Sequence, residues 1–172
     1  MQSTPNNAGF TLVEVLVVTT IMAVLAATAL PAISSMGEAQ RAAAPREVKR
    51  MLVVARSSAV VTGLPAGVEL SIANDTAQLV RIDGAAVVPA DASSGSEALV
   101  VSLADTFNGA GLQSVSGGVS SAAGEQIWFR FDGSPEVRGA NGELIGALAT
   151  DAIVTFDDAA TVTVVAGSGL VE

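Results

Sequence analysis

The chain has 172 residues and a net charge of −9, and half of its residues are hydrophobic. It contains no Cys and no His, which excludes Cys/His zinc sites and catalysis that depends on either side chain. The charge is unevenly distributed: residues 34–62 carry five basic and two acidic groups, whereas residues 63–172 carry three basic and fourteen acidic groups. Because residues 63–172 are so acidic, nucleic acid and anionic membrane surfaces are disfavoured as their partners.

Residues 10–33 form an apolar run of 24 residues in which Glu14 is the only charge. About 20 apolar residues span a hydrocarbon core, so the run predicts a transmembrane helix. Pro31 is predicted to kink this helix near its end, because proline lacks the backbone N–H that a helix uses. A carboxylate costs about 2.5–3.5 kcal/mol at a bilayer centre, so we expect Glu14 to have a functional partner.

Two simpler interpretations of the apolar run are open. In a secretory signal peptide, Ala27-Thr28-Ala29 would serve as the small-x-small cleavage pattern and leave Leu30 as the new terminus. The first nine residues contain no Lys or Arg, and Glu14 interrupts the apolar stretch, which both count against that interpretation. The second interpretation is a plain single-span anchor.

Residues 9–14 read GFTLVE and closely resemble the processing site of type IV prepilins and of the pseudopilins of type II secretion. The resemblance implies a leader at residues 1–9, cleavage between Gly9 and Phe10 by a prepilin peptidase, and methylation of the new terminus at Phe10. It also implies that Glu14 guides assembly. Pro31 fits the same family, whose members usually carry a helix-breaking proline at a similar distance from the cleavage point.

The charge of Glu14 has a physical use in such a protein. After cleavage, Phe10 would carry an α-amino cation near neutral pH, four residues before Glu14. Because an unpaired charge is costly in a low dielectric, we expect Glu14 to pair with an amino terminus, its own or a neighbouring subunit's, and to set the axial register. The basic residues after the span would by themselves predict a cytoplasmic carboxyl-terminal side. The processing motif implies instead an inner-membrane, single-pass protein with a periplasmic domain.

Residues 34–62 predict an amphipathic helix that continues into the domain. Apolar residues fall at helical spacing along it, at Val48, Met51, Leu52, Ala55 and Ala59. Pro45 is predicted to kink this helix or to restart it after a short break, and Gly63 is predicted to end it. The basic residues Arg41, Arg46, Lys49, Arg50 and Arg56 form either a solvated face or charge contacts between stacked subunits.

Residues 63–172 carry the signals of β structure. Residues 68–73 and 77–82 flank a turn and predict a hairpin, and further short strands are predicted at residues 98–103, 126–131, 152–156 and 161–165. The Gly/Ser-rich residues 104–124 predict a mobile surface loop. The predicted fold class is therefore α+β: a long amino-terminal helix, membrane-spanning in its first half and amphipathic in its second, packed on an antiparallel sheet domain as in pilins.

Three further segments resemble the GspH/FimT family of minor pseudopilins. They are residues 52–60 followed by 68–70, the turn at residues 131–134, and the ending at residues 164–171 with its two glycines. The alternative is that these fragments arise by chance, as they could in any domain made of a helix and a sheet. Some relatives take up DNA through basic residues at the carboxyl terminus, but residues 167–172 contain no arginine, so nucleic acid binding is not expected.

Other candidate sites are weaker. Asp151, Asp157 and Asp158 could ligate Ca²⁺, although their spacing fits no calcium loop and a solvated turn is the simpler interpretation. Trp128 is interpreted as core and sheet packing, with an exposed contact at the tip of the domain as the alternative. No base accompanies the many serines, so we predict no catalytic residue, no metal and no cofactor, and thus no enzyme.

The sequence thus predicts a minor pseudopilin, a structural subunit of a type II secretion pseudopilus that serves protein export across the outer membrane. Its expected partners are other pseudopilins or pilins, the prepilin peptidase, the inner-membrane assembly platform and the membrane itself. The alternatives are a minor type IV pilin in pilus biogenesis and a membrane-anchored periplasmic module that binds an exported substrate or a cation.

Overall fold

A computed structural model describes residues 11–83, 86–90, 100–117, 119–120, 124–139 and 141–172. The chain divides into two compact units, Met1–Glu38 and Ala39–Glu172. The amphipathic stretch after residue 38 lies in the same unit as the β-strands. The predicted α+β class is confirmed, with a helix packed on an antiparallel sheet.

Helix α1 runs from Leu12 to Arg41 and includes the described residues of the first unit other than Thr11. Its sequence is rich in Val, Leu, Ala and Met, and only Glu14 is charged before Glu38. The helix is continuous through Pro31, and the predicted kink at that residue stays a prediction.

Helix α2 runs from Ala44 to Thr62 and opens the second unit. Pro45 lies in its first turn, where a missing N–H leaves no helical bond unmade, so the predicted restart after a short break is confirmed. Gly63 ends the helix in the left-handed conformation, with φ +71°, and its N–H donates to the carbonyl of Ala59. The predicted end of the helix is therefore also confirmed.

Besides α1 and α2, the described residues form eleven strands and one short helix, α3 (Leu103–Thr106). The strands are β1 (Ala66–Ser71), β2 (Thr76–Asp83), β3 (Ala86–Pro89), β4 (Val100–Ser102), β5 (Leu112–Ser116), β6 (Val119–Ser120), β7 (Glu125–Phe129), β8 (Pro135–Arg138), β9 (Leu144–Ala147), β10 (Ala152–Phe156) and β11 (Thr161–Val164).

The strands form two antiparallel sheets. The larger sheet has the order β3-β2-β1-β7-β8-β9, with β4 also paired to β2 and β6 to β7. The smaller sheet has the order β11-β10-β5. The hairpin predicted across residues 74–76 is confirmed as β1 and β2, in which Ser71 pairs with Thr76.

The prediction of a mobile loop at residues 104–124 is wrong for the described part of that stretch. It contains most of α3, and β5 pairs along β10 with Val115 opposite Val154. Leu112 and Ala110 are buried in the core, so this Gly/Ser-rich segment is held by a few apolar side chains and a strand ladder. The predicted strand at residues 98–103 also ends early, because Ser102 caps α3 and Leu103 begins it.

The core of the second unit lies between α2 and the sheets. The buried face of α2 carries Val48, Met51, Leu52, Ala55 and Ala59, as its spacing predicts. It contacts β1, β2 and β7 of the larger sheet and β11 of the smaller one. The strand residues on this face are mainly aliphatic, with Phe129 and Phe156 as the largest.

Candidate assembly site

The first turn of α1 is closed by Thr11 and Glu14. Thr11 Oγ1 accepts a hydrogen bond from the backbone N–H of Glu14 at 3.3 Å. Glu14 Oε2 accepts in return from the backbone N–H of Thr11 at 2.9 Å and from its hydroxyl at 3.1 Å. This is a capping box, in which two groups at the open end of the helix satisfy each other.

Sequence reasoning assigned Glu14 to an amino terminus and missed its bonds to Thr11. The spacing of a threonine and a glutamate three residues apart before an apolar run was the signal that could have found them. Gly9 and Phe10 lie outside the described residues, so cleavage and methylation there stay predictions, as does the registration role of Glu14.

The first half of α1, as far as residue 27, does not bury its apolar side chains. Every residue from 11 to 27 is exposed, including the consecutive Val15, Leu16, Val17 and Val18. Consecutive helical residues point about 100° apart, so the exposed apolar surface surrounds the helix. An α-helix that is apolar on all faces needs other apolar groups around it.

In the part of the chain that the structure describes, no helix is both long enough and apolar enough to cross a membrane.

Arg56 joins three segments that are far apart in sequence. From the middle of α2 its Nε donates to the carbonyl of Gly133 at 3.1 Å, and its Nη2 donates to the carbonyl of Ser168, also at 3.1 Å. The three segments are helix α2, the turn at residues 131–134 and the carboxyl-terminal ending at residues 164–171. The structure thus brings the three segments of the GspH/FimT resemblance together at one side chain.

The glycines of this junction are required by its geometry. Gly169 has φ +66°, and a Cβ there would lie 2.2 Å from the carbonyl oxygen of Gly133. Gly133 has φ +81°, and its Cβ would lie 3.2 Å from Arg56 Nε. Both conditions favour glycine, because other residues rarely adopt this backbone and would displace the arginine.

Trp128 packs on the sheet face opposite α2, and the predicted packing role is confirmed. It is fully buried, and its Nε1 donates to Gln126 Oε1 at 3.1 Å. Gln126 in turn donates to Glu69 Oε2 at 2.6 Å. The indole lies over Gly67 on the neighbouring strand, where a Cβ would come 2.9 Å from the Cδ2 atom of Trp128. Because Trp128 is buried, the alternative of an exposed contact at the tip of the domain is wrong.

Glu136 forms a buried cluster that sequence reasoning missed. Its side chain is 1% exposed, and Oε1 accepts from Arg138 Nε at 2.5 Å. Arg138 also donates to the carbonyl of Gly142, so it ties the β8–β9 turn to the carboxylate. Oε2 has no hydrogen-bond partner among the described residues, and Arg130 Nε lies 3.8 Å from it. The alternation Glu-x-Arg on one strand face was the only sequence signal.

The aspartates considered for calcium have local roles. Asp158 Oδ1 accepts from the backbone N–H of Ala160 at 3.0 Å, and Asp151 Oδ1 accepts from that of Ala166 at 2.8 Å. Asp157 begins the β10–β11 turn with Asp158. No group of three or more acidic side chains suited to a metal ion occurs among the described residues.

Two of the cavities that the described residues line lie in the second unit. One of about 330 Å³ lies between α2 and the strands and is lined by Val54, Val61, Leu79 and Ala90 among others. A smaller one of about 160 Å³ lies beside Arg41 and is lined by residues 109–111 and 156–158. Neither lining includes a nucleophile next to a base, so neither supports a catalytic site.

The motif at the amino terminus matches a known family in sequence. Residues 4–30 match the family model described as "Prokaryotic N-terminal methylation motif". No curated protein matches the chain. Among solved structures, the minor pseudopilin EpsH from the Type 2 Secretion System of Vibrio cholerae is similar at a TM-score of 0.49 and 10% identity, over 74% of this chain and 90% of that one. Residues 4–30 therefore carry a prokaryotic N-terminal methylation motif, which agrees with the resemblance of residues 9–14 to the type IV prepilin processing site.

Proposed function

We propose that the chain is a minor pseudopilin, a structural subunit of a type II secretion pseudopilus. The observation that carries the proposal is the methylation motif at residues 4–30, which overlaps a helix whose apolar side chains between residues 12 and 27 are exposed on all faces. In this proposal residues 10–33 anchor the protein in the inner membrane before assembly, and the unit Ala39–Glu172 lies in the periplasm. Other pseudopilin helices then surround α1.

The capping box supports a specific role for Glu14. Both bonds from Thr11 go to Oε2, so Oε1 takes none of them and can accept from an amino group. Cleavage after Gly9 would place the amine of Phe10 next to Thr11, at the same end of the helix. A neighbouring subunit's amine would pair equally well with Oε1, and that pairing would fix the axial position of the incoming helix.

Processing and assembly of such a subunit each require a further partner. The prepilin peptidase removes residues 1–9 and methylates Phe10, and the inner-membrane assembly platform inserts the subunit into the filament. We expect no binding to nucleic acid, because Arg138 is engaged by Glu136 and residues 63–172 remain strongly acidic.

Crosslinking between subunits tests the proposal. The chain has no Cys, so Val18→Cys on the exposed surface of α1 introduces a unique thiol. With the major pseudopilin carrying a cysteine in its own apolar helix, we expect crosslinked pairs that Glu14→Ala reduces by about tenfold or more. A matched cysteine at Ile145 on β9 should not crosslink to that helix. Equal crosslinking with and without Glu14 would contradict the registration role, and no crosslinking from Val18 would contradict the filament role.

A further inference from the structure

Three exposed apolar side chains lie around the Arg56 junction. Val60, Phe131 and Leu170 are 52%, 54% and 50% exposed. A Cβ built on Gly133 would lie 3.3 Å from Val60 Cγ2, and Phe131 is two residues from that glycine, within about 8 Å along the chain. We call Val60, Phe131 and Leu170 the end patch.

Leu170 is positioned near the other two residues of the end patch by the preceding residue, Gly169. Gly169 lies against the carbonyl of Gly133, and the Arg56 hydrogen bond to Ser168 holds the same turn. The three side chains therefore come from three segments that a single arginine fixes in place. An exposed apolar surface that is held in this way is preformed, so it loses little conformational entropy when another surface covers it.

The charges beside Phe131 have opposite signs on its two sides. The guanidinium carbon of Arg130 lies 5.2 Å from the centre of the Phe131 ring, and its Nε lies 3.8 Å from Glu136 Oε2. The arginine side chain is still 40% exposed. Asp132 is exposed, and the hydroxyl and backbone N–H of Ser134, which both bond its Oδ1, lower its pKa. Cation, aromatic ring and anion thus follow one another in sequence on one exposed turn.

We propose that the end patch binds the end patch of a second copy of this chain about a twofold axis near Phe131. In such a contact the two Phe131 rings meet, and each Arg130 lies opposite the Asp132 of the other copy. Residues 63–172 carry fourteen acidic and three basic groups, so two copies repel over most other pairs of surfaces. The turn at residues 130–132 carries one positive and one negative charge, so two copies of it can pair with opposite charges facing each other.

The contact does not depend on the proposed filament function, because it uses residues of the unit Ala39–Glu172 only. It is a small surface, and single exposed charge pairs contribute little, so we expect a weak and reversible dimer. Apolar contact between the patches supplies its stability, and the paired charges fix its orientation.

Crosslinking of the full-length chain in detergent micelles tests the proposal. Val60→Cys carries the reporter thiol, and Ile145→Cys on β9, which is 63% exposed, is the matched control. With a flexible bis-maleimide we expect a crosslinked dimer from Val60→Cys and little from Ile145→Cys. Equal yields from the two positions would show that copies merely share a micelle, and would overturn the proposal.

Charge reversal in the Val60→Cys background gives the sharper result. Asp132→Lys should lower the dimer yield by about tenfold, since both symmetric pairs become repulsive while Arg130 stays beside Glu136, and Asp132→Asn should lower the yield less. Phe131→Ala should lower the yield without changing a charge. Glu14→Ala should leave it unchanged, which separates this contact from filament assembly. An unchanged yield in Asp132→Lys or in Phe131→Ala, or an equal loss in Asp132→Asn and Asp132→Lys, would overturn the proposal.

Discussion

The two units of this chain differ in whether they bury their own apolar residues. In the second unit α2 and the two sheets enclose a core in which Leu52, Val68 and Phe129 are fully buried. In the first unit every side chain from residue 11 to 27 is exposed, although most of them are apolar. Burial of apolar area is the main stabilising term in folding. The second unit therefore gains this stabilisation from its own residues, whereas the described part of the first unit does not.

The difference assigns separate tasks to the two units. The second unit has an apolar core of its own, whereas under the proposed function lipid or neighbouring helices would cover the exposed surface of α1. Substitutions in the second unit should therefore change its stability, and substitutions in α1 should change association. Trp128 is the only tryptophan and lies buried in the second unit, so its fluorescence reports the unfolding of that unit alone.

The largest expected effect comes from matched leucines in the two units. Leu52 in α2 is 0% exposed and Leu16 in α1 is 59% exposed. Leu52→Ala should lower the free energy of unfolding by about 3 kcal/mol, because it leaves a cavity in the core. Leu16→Ala should leave the Trp128 transition in denaturant unchanged. An equal shift from both would show that α1 belongs to the same cooperative core.

The glycine of the carboxyl-terminal turn should give the next largest effect. Gly169→Ala introduces a Cβ that would lie 2.2 Å from the carbonyl oxygen of Gly133, at a positive φ. We expect a loss of about 2 kcal/mol. Gly146→Ala on β9 is the control, since nothing lies within 4 Å of its Cβ position. Denaturant unfolding measures both, and similar values would mean that the turn adjusts freely.

Removal of Arg56 should cost somewhat less. Arg56→Met keeps the aliphatic stem but removes the hydrogen bonds to the carbonyls of Gly133 and Ser168, so we expect a loss of about 1.5 kcal/mol. Lys49→Met on the exposed side of the same helix should change the unfolding free energy by less than about 0.5 kcal/mol. A negligible effect of Arg56→Met would remove the junction as a stabilising feature of the second unit.

The smallest effect is a gain. Ala159 lies in the β10–β11 turn at φ +64°, a backbone conformation that glycine adopts more readily. Ala159→Gly should therefore raise the free energy of unfolding by about 0.5 kcal/mol, the relief of strain exceeding the added freedom of the unfolded chain. A measured loss in the same denaturant series would show that the turn holds Ala159 without strain.

The features that local sequence could predict are those fixed by local chemistry. Pro45 restarts α2 and Gly63 ends it because each acts on its own backbone, and residues 152–156 form a strand with the predicted bounds. The Arg56 junction spans 77 and 112 residues, so no pattern near Arg56 predicts it. The strand β5 was missed because its two apolar residues, Leu112 and Val115, are separated by Gln and Ser, and its pairing with β10 decides its conformation.

The candidate site divides in the same way. The motif at residues 9–14 could be recognised from the sequence because its residue types and their spacing are specific. The match over residues 4–30 bears out the resemblance. The bond between Thr11 and Glu14 was equally local and could have been predicted. The end patch could not be predicted, because Val60, Phe131 and Leu170 belong to segments that only the fold brings together.

The intact mass of the mature protein tests the central claim most directly. The chain should be expressed with a prepilin peptidase, purified from membranes and weighed. The account predicts a chain that begins at Phe10 and carries one added methyl group. A chain that begins at Leu30 would mean signal-peptide cleavage, and one that retains Met1–Gly9 would mean a plain anchor. Either result would contradict the assignment of this chain as a processed filament subunit.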